Sequence, residues 1–328
     1  EAEKPGIVIG KAGEILKEIK EKTFWVATVR RIPPIRSPLI ENIRRVLYEN
    51  SDYRRKFLNK IGKKIYDDWE KSKRDEWIRI SVLGAGREVG RSCFLLQTPH
   101  SRVLLDCGLN VAANTPETMF PIFQAPEFKI EDLDAVIISH PHLDHVGVLP
   151  YLFKMGYRGP VYCTAPTRDV GALLTLDYIG LSEKEGSDAI YGSVDVKEMV
   201  KHTICLNYEE VTDITKDIRI TFYNAGHNIG SSLVHIHIGN GLHNFLYTGD
   251  FNYETSNLLG SAETQFPRLE SVMMESTYGK AADVGLSRHE SEKILIDIIK
   301  DTAEKEGKIL MPVLGVGRSQ EVMLIIEK

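Results

Sequence analysis

The spacing of hydrophobic residues divides the chain into three regions. In the first, Ile15 and Ile19 share a helical face, and a run rich in β-branched and aromatic residues follows. Pro33-Pro34 then interrupts the pattern before two basic amphipathic stretches. In chain order, this region predicts a short strand at Ile7-Val8-Ile9, a helix after the turn 10–13, a strand over 23–32, and helices over 37–49 and 51–71.

From Trp77 the pattern changes to short apolar strands separated by glycine-rich turns. Helical stretches near 145–155, 166–178 and 195–201 interleave with the strands. Strands that alternate with helices favour an α/β (α+β layers) domain. The predicted strands lie at 77–83, 92–97, 102–106, 134–139, 160–163, 218–224, 232–238 and 244–248.

The third region begins near Val272. Its pattern predicts a strand over 272–277, a helix over 289–305, a strand over 308–314 and a final helix. This order is that of an opening βαβ unit, which needs further strands to cover its edges. We therefore expect the architecture to continue beyond residue 328.

The composition is that of a globular protein, with 42% hydrophobic and 27% charged residues and a net charge of -5. The chain is not a polycation, so contact with nucleic acid requires a local basic surface. Charge clusters near the N-terminus indicate such a surface, although a solvated helical face is the alternative. The cluster comprises Arg30, Arg31, Arg36, Arg44, Arg45, Arg54, Arg55, Lys56, Lys60, Lys63 and Lys64.

The cysteines are widely spaced and form no CxxC pair, which favours buried thiols in a reducing compartment. The chain has no signal peptide and no apolar run of about 18 residues, so we expect no membrane span and a cytoplasmic location. The cysteines are Cys93, Cys107, Cys163 and Cys205.

Three histidines and an aspartate fall within six positions after the apolar strand that ends at Ile138. A loop after a strand can turn these side chains toward one centre, and imidazole nitrogen and carboxylate oxygen suit Zn²⁺. A chance surface cluster is the alternative, which 10 histidines in 328 residues disfavour. The residues are His140, His142, Asp144 and His145.

Further potential ligands follow other predicted strands. His227 lies between glycines after the strand 218–224, and Asp250 follows the strand that ends at Tyr247. Asp106 follows another apolar strand. Because α/β folds place their chemistry at strand ends, these residues are candidates for one shared site.

The series Asp106, HxHxDH at 140–145, His227 and Asp250 resembles the metallo-β-lactamase superfamily over residues 77–272. The resemblance implies an αββα sandwich and two zinc ions that activate a water molecule as the nucleophile. It also implies that Asp106 holds a ligand histidine in place. In that family one zinc would be bound by His140, His142 and His227, the second by Asp144 and His145, and Asp250 would bridge both.

Segments on both sides resemble modules of nucleic-acid enzymes. The motif ESTYG, which begins at Glu275, and the segment 312–321 resemble the start of a β-CASP domain. The turn Gly10-Lys11-Ala12-Gly13 resembles the GxxG loop of KH domains, which clamps single-stranded nucleic acid, although an ordinary turn is the alternative. The implied domains are a KH domain at 1–75, a metallo-β-lactamase domain at 76–272 and the beginning of a β-CASP domain at 273–328.

Modules in this order resemble the archaeal relatives of the nuclease subunit of the cleavage and polyadenylation specificity factor. The implied activity is zinc-dependent hydrolysis of single-stranded RNA, endonucleolytic or 5′→3′ exonucleolytic, in mRNA 3′-end processing, transcription termination or RNA decay. The implied catalytic residues are Asp106, Asp144 and Glu275. Ser231 and Ser232 are candidates for contacting RNA, and capping of a turn is the alternative.

Two other functions stay open at this point. A catalytically silent RNA-binding scaffold of a 3′-end processing complex typically loses metal ligands, whereas all six positions expected here are intact. A small-molecule thioesterase or lactonase needs neither the motif at Glu275 nor the basic N-terminal region. DNA is an alternative substrate, but the KH-like turn and the resemblance to the cleavage-factor family make RNA the expected partner.

The family pattern calls for two histidines after residue 328, one of them the last ligand of the second zinc. It also calls for a KH domain that starts before residue 1. We therefore expect an internal piece of a longer protein that binds the second zinc poorly and has low activity in isolation. A homodimer formed through the region after residue 328 is a further expectation.

Overall fold

In the computed structural model, residues 2–33, 35–66, 77–113 and 115–327 are described. The chain forms two compact units, Glu1–Arg45 and Val46–Lys328. The three-domain assignment made from the sequence stays a prediction. The helices are α1 (Pro5–Ile9), α2 (Glu14–Thr23), α3 (Pro38–Glu49), α4 (Ser51–Tyr66), α5 (Pro116–Met119), α6 (Leu143–Val146), α7 (Leu149–Lys154), α8 (Ala165–Lys184), α9 (Ser193–His202), α10 (Arg288–Glu304) and α11 (Arg318–Glu327). The strands are β1 (Arg79–Gly84), β2 (Cys93–Gln97), β3 (Arg102–Leu105), β4 (Ala135–Ile137), β5 (Val161–Cys163), β6 (Thr203–Cys205), β7 (Thr212–Asp213), β8 (Ile218–Asn224), β9 (Ser232–Ile238), β10 (His243–Tyr247) and β11 (Ser271–Met273).

The N-terminal unit differs from the prediction at both expected strands. Residues 7–9 lie in helix α1, because Pro5 occupies its first turn, where a missing N–H has no cost. Of the expected strand 23–32, Thr23 ends helix α2, and the residues after it pair only through a bridge between Ala2 and Arg31 among the described residues. A strand needs a neighbour that completes its hydrogen bonds, and the apolar pattern alone does not supply one. Helices α2 and α3 are confirmed.

The larger unit contains two mixed sheets that confirm the predicted α/β class. Within the described residues, one sheet has the order β1-β2-β3-β4-β5-β6, and strands β3 to β6 in it are parallel. The other has the order β11-β10-β9-β8-β7 and is antiparallel except at β10–β11. All eight strands predicted between 77 and 248 are confirmed. Strands β6 and β7, of three and two residues, were missed because so few residues carry no periodicity.

A continuous apolar core lies between the two sheets. Leu105, Ile137 and Tyr162 of the first sheet pack in one cluster with Phe222 and Val234 of the second. Alternate residues of the first sheet face the other way, toward the layer formed by α6 to α9, where α8 packs against β6. This layering fixes the two sheets so that the ends of their strands meet along one edge.

The helical predictions in this unit are confirmed with changes. The stretch 145–155 forms two short helices, α6 and α7, and the helix predicted at 166–178 extends over all of α8. Helix α4 is confirmed as far as Tyr66, and its predicted end at residue 71 lies outside the described residues. In the described ranges, no helix has both the length and the apolar character needed to cross a membrane.

The C-terminal segment forms α10 and α11 as predicted, but 308–314 is not a strand. No described strand pairs with it, and Leu310 is 94% exposed, so the pattern of apolar residues had no sheet to join. Strand β11 is also shorter than the predicted 272–277. The segment is tied to the sandwich by the carboxylate of Glu321, which accepts hydrogen bonds from the backbone N–H groups of Asn257 (2.9 Å) and Leu258 (3.0 Å).

Candidate metal centre

The six predicted ligands come together where strands from both sheets end. Strand β4 leads into the loop that holds the first two histidines, and the short helix α6 presents Asp144 and His145. The loops after β8 and β10 present His227 and Asp250 from the other sheet. Two groups have ligand atoms within 4.8 Å of one another: His140, His142, His227 and Asp250 form the first, and His140, Asp144 and His145 form the second.

Asp250 occupies the middle of this cluster. Its Oδ1 lies 3.3 Å from His145 Nε2, and its Oδ2 lies 3.7 Å from His227 Nε2 and 3.8 Å from His140 Nε2. One carboxylate therefore faces histidines of both groups. The arrangement agrees with the bridging role implied by the family resemblance, which itself stays a prediction.

Asp106 lies behind the cluster and is completely buried. Its Oδ2 accepts hydrogen bonds from His145 Nδ1 (2.7 Å), Ser139 Oγ (2.7 Å) and Tyr247 Oη (2.5 Å), while its Oδ1 accepts from the Ser139 backbone N–H (2.7 Å). The contact with His145 fixes which ring nitrogen carries hydrogen and turns Nε2 toward Asp250. Asp106 itself has φ +57°, a left-handed conformation that few non-glycine residues adopt.

The segment after Asp106 clasps the ligand-bearing helix through its backbone. Cys107 N–H donates to His145 O (2.7 Å), Leu109 N–H donates to Leu143 O (2.8 Å), and Asp144 O accepts from Ser92 N–H (2.8 Å). Only glycine fits between them, because a Cβ at Gly108 would lie 1.6 Å from Asp144 O. The close approach of the two backbones thus determines where Asp144 and His145 stand.

Backbone contacts also join the two sheets at the site. Ser232 N–H donates to Ser139 O at 2.9 Å, which ties the loop of His227 to the loop of His140. Gly249, with φ +52°, passes so close to Ser139 that a Cβ would lie 2.5 Å from its hydroxyl oxygen. Local packing therefore holds the candidate ligands of the second sheet against the first sheet without the help of an ion.

Three of the histidines are held neutral by their surroundings. Burial lowers the pKa of His227 to about 4, and burial likewise lowers the pKa of His140 and of His142 below its usual range. For His145 burial acts in the same direction, but the charge of Asp106 and hydrogen bonds with Asp106 and Asp250 outweigh it and raise its pKa. Neutral imidazoles offer the free lone pairs that a metal ion needs.

The donor set fits a metal ion. His140 Nε2 is buried and has no hydrogen-bond partner among the described residues, although an unsatisfied buried polar atom is costly. His142 Nδ1 and His227 Nε2 lie only 3.1 Å apart. Nitrogens that converge on one another beside a carboxylate are satisfied together by a cation.

A cleft of about 620 Å³ opens beside the second group of ligands. Asp144, His145 and Asp250 lie on its wall, together with residues 85 and 87–90 of the loop between β1 and β2 and residues 273–277. Glu275 belongs to this wall, and its carboxylate accepts a hydrogen bond from the Thr277 backbone N–H (2.8 Å). A substrate can therefore reach the cluster from this side.

The predicted RNA contacts lie in different settings. Ser231 and Ser232 are buried; the Ser231 hydroxyl accepts from His227 N–H (3.2 Å) and donates to Asn228 O (2.9 Å), so it shapes the turn. In the N-terminal unit, Gly10-Lys11-Ala12-Gly13 forms the turn between α1 and α2, with φ +75° at Gly10 and +78° at Gly13. Lys11 is exposed. RNA binding by these residues stays a prediction.

The sequence analysis assigned no function to three residues that lie at the candidate metal centre. Tyr247 and Ser139 support Asp106, and the buried Asn228 places Nδ2 3.5 Å from His142 Nε2. Their only sequence signal was position, since each lies within three residues of a predicted ligand. Ordinary polar residues of this kind become recognisable only once the ligands are placed in space.

A family model, described as a metallo-beta-lactamase superfamily domain, matches residues 73–277. The chain belongs to this superfamily, in which an α/β sandwich carries a His/Asp cluster at the edge of its sheets. The cluster described above occupies that part of the matched region.

Several curated relatives of the chain share the same name. The transcription termination factor FttA of Methanothermobacter thermautotrophicus is 53% identical over 329 residues, and FttA of Methanocaldococcus jannaschii is 51% identical over 328 residues. Each alignment covers 100% of this chain and 51% of the relative, so the chain spans about half the length of these proteins. Among solved structures, a protein of unknown function from Enterococcus faecalis V583 has a TM-score of 0.46 at 17% identity, covering 69% of this chain and 58% of that one.

Proposed function

We propose that the protein is a zinc-dependent ribonuclease that hydrolyses phosphodiester bonds of single-stranded RNA, and that it acts in transcription termination. The observation that carries the proposal is the pair of His/Asp groups sharing His140 beside an open cleft. Imidazole and carboxylate donors favour zinc, which would supply an activated water molecule and stabilise charge on the phosphate. The names of the FttA relatives support the role in termination.

In this proposal each side chain has a defined task. His140, His142 and His227 would hold the first ion, Asp144 and His145 would hold the second, and Asp250 would supply a further carboxylate ligand. Asp106 keeps His145 oriented through its 2.7 Å hydrogen bond. The wall at Glu275 positions the RNA strand, as the beginning of a β-CASP domain, and the turn 10–13 binds RNA as part of a KH domain. Such a protein would work on RNA in the cytoplasm.

Replacing His140 by alanine tests the proposal. We expect the full-length H140A variant to lose cleavage of labelled single-stranded RNA in the presence of zinc, because both ligand groups lose their shared nitrogen. RNA binding, measured separately by fluorescence anisotropy, should stay within a few-fold of the parent. His100→Ala is the matched control, since His100 is an exposed histidine outside the cluster. This variant should cleave the RNA as the parent does.

The alternatives give different results. A parent protein that binds zinc and RNA but never cleaves would support the silent scaffold and contradict the ribonuclease. A large loss of RNA binding in H140A would mean that the histidines organise the RNA site rather than a catalytic ion.

A further inference from the structure

Helix α4 lies across the starts of several strands in the first sheet. The Arg54 guanidinium donates to Lys201 O (2.5 Å) and Thr203 O (3.1 Å), at the beginning of β6. Near the other end of the helix, Lys64 pairs with Asp134, directly before β4, at 2.6 Å. The inner side of the helix buries Phe57 against His202 of α9, with ring centroids 4.8 Å apart. The opposite side faces away from the sandwich.

The charge of this helix is unlike that of the other long helices. Six cationic side chains and one carboxylate fall within α4, in a chain whose net charge is -5. By contrast, α8 has two cationic side chains and three carboxylates, and α10 has three cationic side chains and five carboxylates. A solvated helical face normally mixes both signs, so the excess on α4 is a local feature and not a property of the chain.

Part of this charge has partners within the protein, and part has none. Arg54 and Lys64 are engaged as described above, and Arg55 pairs with Asp52 at 3.1 Å. Three exposed lysines of the helix form no ion pair with the described residues, and their spacing of four and three positions places them on one face. Along the helix axis they are separated by roughly 6 Å and 4.5 Å. We call them the α4 lysine stripe: Lys56, Lys60 and Lys63.

We propose that the α4 lysine stripe binds the phosphate backbone of single-stranded RNA at a place separate from the site of cleavage. The inference rests on the proposed function in one respect, the choice of RNA as polyanion. Regularly spaced lysines with no internal partner repel one another, and a polyanion removes that repulsion. Lysine ammonium groups bind phosphates as point charges without reading sequence.

The position of the stripe separates it from the metal centre. Strands β3 to β6 are parallel, and the four candidate ligands that this sheet supplies follow the carboxyl end of β4. Helix α4 contacts the starts of β4 and β6, at the opposite edge of the same sheet. RNA bound by the stripe is therefore a different part of the strand from the phosphate beside Asp250. The stripe anchors long RNA and leaves the chemistry unchanged.

The experiment uses the full-length protein with all three lysines reversed, K56E/K60E/K63E. We expect binding of a single-stranded RNA of roughly 40 nucleotides to weaken at least tenfold. The slope of log affinity against log salt should fall by about 2, since each lost phosphate contact contributes roughly 0.7 on a single strand. Cleavage of a short RNA of about 8 nucleotides should be unchanged, because it fills one site only.

Two variants serve as controls. K184E/K197E/K300E changes the net charge equally at exposed lysines of three other helices and should bind the long RNA nearly as the parent does. K56Q/K60Q/K63Q removes the charge without adding repulsion and should show an intermediate loss. An unchanged melting temperature in each variant verifies the fold.

The remaining outcomes overturn the inference. Equal weakening in both charge-reversed proteins would indicate general electrostatics, and no weakening in either would leave the stripe without an RNA role. If the stripe variant keeps RNA affinity but loses binding to polyglutamate, the surface serves an acidic polypeptide instead. Failure of the parent to cleave the short RNA would contradict the proposed function alone, because the binding comparison does not depend on cleavage.

Discussion

At the scale of single residues, Asp106 shows how a buried carboxylate controls a site through its neighbours. It accepts hydrogen bonds from His145, Ser139 and Tyr247, and its burial leaves it no contact with solvent. An ionised carboxylate can accept this many hydrogen bonds because both of its oxygens are acceptors. The amide of an asparagine could accept only through its single oxygen. The orientation of His145 depends on that charge.

Asp106→Asn should therefore lower metal affinity by about 10–100-fold. The amide would turn an N–H toward one of its present donors and free the His145 ring to rotate. Competition against a chromophoric zinc chelator measures the change. Asp217→Asn is the control, since Asp217 accepts from the hydroxyls of Thr98, Ser101 and Thr215 but touches no ligand. A similar fall in both variants would assign the effect to stability and not to His145.

The sequence predicted the candidate ligands and, through the family resemblance, the supporting role of Asp106, but it did not predict the other residues around them. His140 and Asp250 were found because each follows an apolar strand and belongs to a residue type that binds zinc. Tyr247, Ser139 and Asn228 are types with many uses, and their roles arise from neighbours distant in the chain. A contact such as Tyr247 with Asp106 spans 141 positions, which no local pattern records.

At the scale of elements, two short backbone segments cross next to the cluster. The segment 107–109 donates backbone hydrogen bonds to residues 143–145, and Gly108 allows the contact because it has no side chain. Residues 23–32 and 308–314 were wrongly predicted to be strands, and they show what an element needs beyond its own sequence. Each has the apolar pattern of a strand, but hydrogen-bonded strands require a partner that the pattern does not specify.

Gly108→Ala should destabilise the protein by on the order of 3 kcal/mol, because a Cβ 1.6 Å from Asp144 O forces the two segments apart. Zinc affinity should fall as well, since Asp144 and His145 move with the backbone. Urea denaturation measures the first effect and chelator competition the second. Gly180 lies in helix α8, where an added Cβ would have no other atom within 4 Å. Gly180→Ala should therefore raise stability by about 0.5–1 kcal/mol. Unchanged stability in G108A would contradict the packing argument.

At the scale of the whole molecule, the candidate centre draws ligands from both sheets. His140, His142, Asp144 and His145 follow β4, while His227 and Asp250 follow strands of the other sheet. An ion bound by both groups links the two layers. The layered α/β class was predictable from alternating strands and helices. The facing of the two sheets was predictable only from the family resemblance, because it depends on which sides of the strands are buried together.

Removal of metal should therefore lower the melting temperature. An ion at about 1,000 times its dissociation constant stabilises the folded state by roughly 4 kcal/mol, which corresponds to a shift on the order of 5–10 °C. Differential scanning calorimetry with and without a chelator measures the shift. The H140A variant should show little change on chelation. An equal shift in that variant would mean that the stabilising ion binds elsewhere.

The division of the ligands between two sheets also bears on how the protein is made. During synthesis, the segment that contains His145 leaves the ribosome about a hundred residues before Asp250 does. A nascent chain at that stage has the Asp144-His145 pair but not the carboxylate that faces both groups. Tight metal binding must then wait until both layers have docked. Metal loading would thus follow the completion of the sandwich and would not precede it.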